Sequence, residues 1–176
     1  SDRIAAIYRN NGDGSFSNIE AGLPGIDISS SAWGDYDNDG YLDFVLAGRT
    51  PEYGLMTRIY HNNGDDTFTD INAGLPGIYY GSPAWGDYDN DGDLDLLLVG
   101  FCNTCAQDLV SISRIYRNDD GDFKDINVEL TGVSNGVGIW GDYDNDGWPD
   151  ILLSGYTGSP SSGVYTSKVY RNNKDG

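Results

Sequence analysis

Asp35-Tyr-Asp-Asn-Asp-Gly-Tyr-Leu-Asp43 recurs as Asp87-Tyr-Asp-Asn-Asp-Gly-Asp-Leu-Asp95 and as Asp142-Tyr-Asp-Asn-Asp-Gly-Trp-Pro-Asp150. Trp-Gly precedes each copy, at Trp33, Trp85 and Trp140, and an apolar run ending at Gly48, Gly100 or Gly155 follows. The pattern D-x-D-x-D-G-x-x-D puts carboxylates at alternate positions, with a glycine where the chain must turn. Such a loop suits a hard divalent cation, because Ca2+ takes six to eight oxygens from carboxylates, carbonyls and water.

Working outward, the tryptophans lie 52 and 55 residues apart, and a second motif falls between them. It reads Ile7-Tyr-Arg-Asn-Asn-Gly, Ile59-Tyr-His-Asn-Asn-Gly, Ile115-Tyr-Arg-Asn-Asp-Asp-Gly and Val169-Tyr-Arg-Asn-Asn. Aromatic strand starts follow at Phe16, Phe68 and Phe123, and then corners at Leu23, Leu75 and Leu130. Each period therefore predicts four short strands. The first leads into Trp-Gly-Asp. The second follows the acidic loop and is nearly continuously apolar at 42–47, 94–99 and 151–153, as a strand buried on both faces should be. The third carries Ile-Tyr-Arg or Ile-Tyr-His, and the fourth begins at the Phe. Asn-Gly or Asp-Gly between the third and fourth strands is a strong hairpin signal. The connections between second and third strands, at 49–57, 101–113 and 156–167, are the variable parts.

Four-stranded antiparallel sheets of about 50 residues match β-propeller blades, which bury their faces by packing blade on blade. The expected fold is all-β, with about three blades in a single domain over 1–176. The third and fourth strands of one blade occupy 1–25, full blades occupy 26–77 and 78–132, and the first three strands of another occupy 133–176. Three blades fall short of a ring, since four to eight are usual. A partial propeller closed by a second copy, a homodimer, is therefore expected, or else a piece of a larger propeller. Ser1-Asp-Arg reads as a start within a domain.

Composition narrows the function. The chain has 176 residues, a net charge of −18, 38% hydrophobic and 12% aromatic residues, which is too apolar for an acidic disordered segment. Seven Arg and three Lys are dispersed, so no basic surface for nucleic acid is expected. No apolar run approaches the roughly 20 residues that span a bilayer. Twelve of the 28 acidic residues occupy the four Asp positions of the D-x-D-x-D-G-x-x-D pattern in the three loops, so the charge follows a pattern that solubility alone does not explain. Cys102 and Cys105 form one C-x-x-C pair in a polar stretch. A local disulfide is favoured over free thiols, and both over a zinc or redox role.

The expected metal ligands are Asp35, Asp37, Asp39, the Tyr41 carbonyl and Asp43; Asp87, Asp89, Asp91, the Asp93 carbonyl and Asp95; and Asp142, Asp144, Asp146, the Trp148 carbonyl and Asp150. That makes about three Ca2+ per chain. The first six positions match an EF-hand loop, but its position-12 Glu is replaced by Leu46, Leu98 and Leu153. Mg2+ fits less well, since it accepts few protein ligands.

These loops, with the Tyr-Arg-Asn-Asn-Gly-Asp-Gly-x-Phe unit, resemble the FG-GAP and VCBS repeats of integrin-α-like β-propellers. The resemblance implies a calcium-binding, usually extracytoplasmic module, placed outside the cell or at its surface. The FG-GAP letters themselves are loosely kept, as Val-Leu-Ala-Gly, Leu-Leu-Val-Gly and Leu-Leu-Ser-Gly, and Pro149 departs from the first two loops.

Three functions compete. A non-catalytic binding or adhesion module stiffened by calcium is favoured, its protein or glycan ligand unidentified. The alternative is a propeller-type lectin, with Tyr53, Tyr79, Tyr80, Tyr156 and Tyr165 stacking on sugars, although packing explains these tyrosines better. An enzyme is disfavoured: His61 is the single histidine, it replaces the Arg of positions 9, 117 and 171, and no nucleophile-and-base arrangement is visible. Arg9, Arg117 and Arg171 are expected to pair with neighbouring acids. N-x-Ser/Thr sequons are absent.

Overall fold

The structure, a computed structural model, describes residues 3–52, 54–102, 104–105, 110–158 and 163–174. Among these it is all β, with thirteen strands: β1 (Tyr8–Asn10), β2 (Phe16–Asn18), β3 (Asp27–Gly34), β4 (Asp43–Thr50), β5 (Gly54–Asn62), β6 (Phe68–Asp70), β7 (Ile78–Gly86), β8 (Asp95–Cys102), β9 (Val110–Asp119), β10 (Asp122–Asp125), β11 (Ser134–Gly141), β12 (Asp150–Thr157) and β13 (Val164–Tyr170). Consecutive strands pair antiparallel as β1-β2, β3-β4-β5-β6, β7-β8-β9-β10 and β11-β12-β13. Each hairpin from third to fourth strand turns at the Asn/Asp-Gly-rich segment. The connections between second and third strands are shorter than the sequence suggests, because β4 runs to Thr50 and β5 starts at Gly54.

The apolar strands after the acidic loops are the centre of the fold. All eight residues of β8 are buried, and in β4 only Arg49 is exposed. β12 departs from this, since Leu152 is 40% exposed on its outer face. Burying about six apolar side chains on one strand, at roughly 1.5–3 kcal/mol each, is the main gain each sheet makes from folding.

The β-propeller expectation is overturned. The sheets are open and none closes on itself. The strands of two repeats run on as one eight-stranded sheet, in the order β10-β9-β8-β7-β5-β4-β3 with β6 on β5, joined by a single Met56–Ile78 pair. The β1-β2 hairpin and the β11-β12-β13 sheet are separate from it. A ring of blades closed by this chain alone is therefore not its architecture. Trp33, Ile139, Leu152 and Val169 lie 40% or more exposed on the outer faces of these sheets.

Successive repeats stack through their first strands. Trp85 donates its indole N–H to the Ala32 carbonyl at 3.2 Å, and Trp140 repeats the bond on Ala84 at 3.2 Å. The ring of each lies on the Trp-Gly glycine of the repeat before. A Cβ at Gly34 would stand 2.7 Å from Trp85 Cδ1, and one at Gly86 2.5 Å from Trp140 Cδ1. The glycine of Trp-Gly thus makes room for the next tryptophan. Trp33, first in the row, packs on Phe44 and Phe68 of its own sheet and remains half exposed.

Candidate metal centres

Each acidic loop joins a first strand to its second and has the same internal geometry. The opening Asp caps the turn: Asp35 accepts the N–H groups of Asp39 (3.1 Å) and Gly40 (3.0 Å). Asp87 does so for Asp91 and Gly92, and Asp142 for Asp146 and Gly147. The chain turns through left-handed backbone at position 4, where Asn38, Asn90 and Asn145 all have φ of 57°, and again at the glycine of position 6. Asn and Gly tolerate that region best, which is why Asn-Asp-Gly is kept in all three copies.

The closing Asp is buried and held from two sides. Asp95 accepts the N–H of Tyr88 on one oxygen (2.8 Å) and that of Asn118 on the other (3.0 Å). Asp43 is held in the same way by Tyr36 and Asn62, and Asp150 by Tyr143 and Asn172. Burial pushes the Asp95 carboxyl up to about 7 and also raises Asp43. Asp89 is raised too, by burial first and then by the charge of Asp91.

Carboxylate oxygens from positions 1, 3 and 9 converge within 4.8 Å of one another in every loop: Asp35, Asp37 and Asp43; Asp87, Asp89 and Asp95; Asp142, Asp144 and Asp150. These clusters could hold a metal ion. The donor set is all oxygen, as a hard cation requires, and Asp89 Oδ1 is shut from solvent with no hydrogen-bond partner among the described residues. Position 5 accepts the N–H of position 7 in every loop and differs only in its other neighbours. Asp39 groups with Asp37 and His61. Asp91 accepts the N–H of Asp93 at 2.9 Å. Asp146 pairs with Arg171 and Lys174, whose hydrogen bond above all lowers its carboxyl. At position 7, the Asp93 side chain accepts a bond from Asn38 (2.9 Å), while Tyr41 and Trp148 each send their N–H to the position-5 carboxylate.

Two sets of asparagines escaped the sequence reading. The Asn of Tyr-x-Asn is a clamp. Asn118 gives its two amide protons to the carbonyls of Leu94 (3.2 Å) and Tyr36 (2.8 Å), and its oxygen accepts the N–H of Gly121 (2.7 Å). It thereby ties its own acidic loop to the loop of the preceding repeat. Asn172 repeats this on Pro149 and Tyr88. The position-4 asparagines link the loops in a row: Asn38 donates to the Gly92 carbonyl (3.1 Å) and Asn90 to that of Gly147 (3.0 Å). The available signal was phase, since both asparagines recur in step with the carboxylates.

The arginines pair as expected: Arg9 with Asp66, Arg117 with Asp119, and Arg171 with Asp144 and Asp146. Cys102 and Cys105 form a disulfide at the end of β8. The candidate ligand tyrosines fall into two pairs on different sheets. Tyr79 packs on Tyr80 in β7 (4.7 Å), and Tyr156 of β12 packs on Tyr165 of β13 (5.4 Å). Tyr165 is 87% exposed. Tyr53 lies outside the described residues.

Comparison with known proteins accords with this geometry. The chain is 27% identical over 163 residues to cartilage acidic protein 1 of Xenopus tropicalis and 28% identical over 166 residues to cartilage acidic protein 1 of Homo sapiens. Each alignment covers 84% of this chain, which spans about a quarter (24%) of the length of either relative. The FG-GAP-like repeat model matches residues 1–46 and 35–98, together more than half of the chain and inclusive of the first two acidic loops. The chain belongs to the FG-GAP-like repeat family.

Proposed function

We propose that the chain is a non-catalytic, calcium-binding module of an extracellular or cell-surface recognition protein. Its three acidic loops act as metal pins that hold stacked β-sheets together. The observation that carries this reading is the threefold convergence of position-1, -3 and -9 carboxylates around one point, each set including a buried Asp. Without a counter-charge such clusters repel at short range, which the upward shifts of Asp43, Asp89 and Asp95 reflect beside burial. A calcium ion would remove that cost, with Asp35, Asp37, Asp39, Asp43 and the Tyr41 carbonyl holding it in the first loop. The matching set in the second loop is Asp87, Asp89, Asp91, Asp95 and the Asp93 carbonyl. In the third it is Asp142, Asp144, Asp146, Asp150 and the Trp148 carbonyl.

A Cys102–Cys105 disulfide suits an oxidising compartment. Relatives named for cartilage and for acidity fit an acidic extracellular role. Among the described residues no helix is long and apolar enough to cross a membrane. The test is a melt in calcium and in excess chelator. A ligand that binds only the folded state stabilises by roughly 2.7 kcal/mol at a concentration 100 times its dissociation constant. Chelation should therefore lower the melting temperature by several degrees, and an identical melt in both conditions refutes a structural calcium role. Calcium content after dialysis should be about three ions per chain.

A further inference from the structure

The three acidic loops differ in one neighbour. In each repeat the third strand presents one side chain from its Tyr-x-Asn motif to its own loop: His61 in β5, Arg117 in β9 and Arg171 beyond β13. In the third loop this slot holds a guanidinium, with Arg171 Nε 2.8 Å from Asp144 at position 3 and a terminal nitrogen 3.0 Å from Asp146 at position 5. In the second, Arg117 is drawn aside to Asp119 at 2.9 Å. In the first, the slot holds an imidazole. His61 Nδ1 lies 3.0 Å from Asp37 at position 3 and 3.5 Å from the buried Asp43, and Nε2 lies 3.9 Å from Asp39 at position 5.

The substitution changes the chemistry of the loop. A guanidinium is a permanent cation without a lone pair, so it opposes a metal beside it and cannot bind one. A neutral imidazole is a metal ligand. His61 Nδ1 is shut from solvent and makes no aligned hydrogen bond among the described residues, although it points into a set of carboxylates. His61, Asp37 and Asp39 each offer a ligand atom, and these atoms lie within 4.8 Å of one another. Zinc bonds to imidazole and carboxylate are about 2.0–2.2 Å long, so ligand atoms around a tetrahedral ion stand roughly 3.3 Å apart. Of the proposed set, Asp37 stands 3.0 Å from Nδ1, near that edge, and Asp39 stands 3.9 Å from Nε2, so Asp39 must close in by about half an ångström on binding. A mixed nitrogen and oxygen set favours borderline transition ions over Ca2+, which takes oxygen.

We propose that the first acidic loop is a transition-metal site of the Zn2+ class, built by His61, Asp37 and Asp39, at which such an ion competes with calcium. The second and third loops take only hard cations. Competition follows because Asp37 belongs both to this set and to the all-carboxylate set with Asp35 and Asp43. The first loop would then respond to the Zn2+ to Ca2+ ratio while the other two hold the fold. This rests on the reading that the loops bind cations.

Because His61 is the single histidine, its ring signals in nuclear magnetic resonance report on this site alone. Zn2+ added to tag-free protein in excess calcium should shift the His61 ring signals. Metal analysis after dialysis should show one Zn2+ gained and one Ca2+ lost per chain. His61→Arg restores the side chain found in the other repeats, and His61→Gln removes the ligand without adding charge. Both should weaken Zn2+ binding about tenfold or more, and His61→Gln should leave calcium content in the absence of zinc unchanged. Ring signals that do not move, Zn2+ binding in the variants as tight as in the unsubstituted protein, or calcium displaced alike from all loops would overturn the proposal. If calcium fails to bind while Zn2+ still binds through His61, the calcium role falls and this site stands. If calcium binds and the His61 ring is silent, the reverse holds.

Discussion

Asn118→Ala tests whether the repeats are held together by the amide clamp. Asn118 is fully buried, and its side chain makes three hydrogen bonds, to the Tyr36 and Leu94 carbonyls and from the Gly121 N–H. Each bond contributes about 1 kcal/mol net, and each partner left dry adds to the loss. Truncation should therefore cost roughly 3 kcal/mol, a large share of the 5–15 kcal/mol typical of a domain. Asn62 provides the internal comparison. Its amide bonds Leu42 and accepts from Gly64, both on the exposed side, and no bond from it to a preceding loop exists among the described residues. Asn62→Ala should cost only about 1 kcal/mol, whereas Asn172→Ala, with its bond to Tyr88 at 2.7 Å, should resemble Asn118→Ala. Urea unfolding at fixed calcium, followed by tryptophan fluorescence, measures all three. Equal losses at positions 62 and 118, or a loss below about 1 kcal/mol at 118, would refute the claim that the clamp joins neighbouring repeats.

The stacking contact makes a second prediction. Gly86→Ala places a methyl 2.5 Å from the Trp140 ring and should cost about 1–3 kcal/mol by overpacking. Gly141→Ala meets nothing within 4 Å and should stay within roughly 0.5 kcal/mol. A calorimetric melt of the two variants side by side checks this. Asn90→Ala removes the bond from the second loop to Gly147 of the third. It should reduce cooperativity between loops in a calcium titration, and an unchanged binding curve argues that the loops act independently. For pH, the sign depends on metal. The raised folded-state values of Asp43, Asp89 and Asp95 mean that the metal-free fold holds protons more tightly than the unfolded chain. Their contribution is greatest below about pH 4 and is lost as pH rises, for Asp95 through about 7. Asp27, Asp119 and Asp146 are lowered by their cationic partners and act oppositely, losing their contribution as pH falls below about 4. In chelator, stability should fall from pH 5 to pH 7.5, whereas in calcium it should rise, because the metal needs ionised carboxylates. A chelated protein that gains stability over that interval contradicts the assignment.

Local chemistry was legible because it is repeated at short range. Alternating Asp with Asn and Gly at positions 4 and 6 specifies a turn whether or not the rest of the chain is known, and the structure turns at those residues in all three copies. The apolar strands at β4 and β8 and the hairpins at Asn-Gly were readable for the same reason: period and turn chemistry act over a few residues. The sequence also indicated that Arg9, Arg117 and Arg171 would pair with acids, since the arginine recurs at one place in the repeat of a strongly acidic chain.

What depended on the tertiary structure is whatever joins one repeat to another. Counting strands suggested ring-forming blades, but how strands share sheets depends on edge pairs such as Met56–Ile78, which no periodicity encodes. The reach of Asn118 to a carbonyl 82 residues away, and the seating of Trp140 on Gly86, follow from how sheets stack and not from the identity of an asparagine or a glycine. The same holds for His61. In the sequence it is one variant among arginines. In the fold its Nδ1 stands 3.0 Å from Asp37. The acidic loops were decided by the sequence, because a turn of nine residues is a local object. Their coupling, and the difference between the first loop and the others, were decided by packing, because only the folded chain brings the third strand of a sheet against the loop that opens its second.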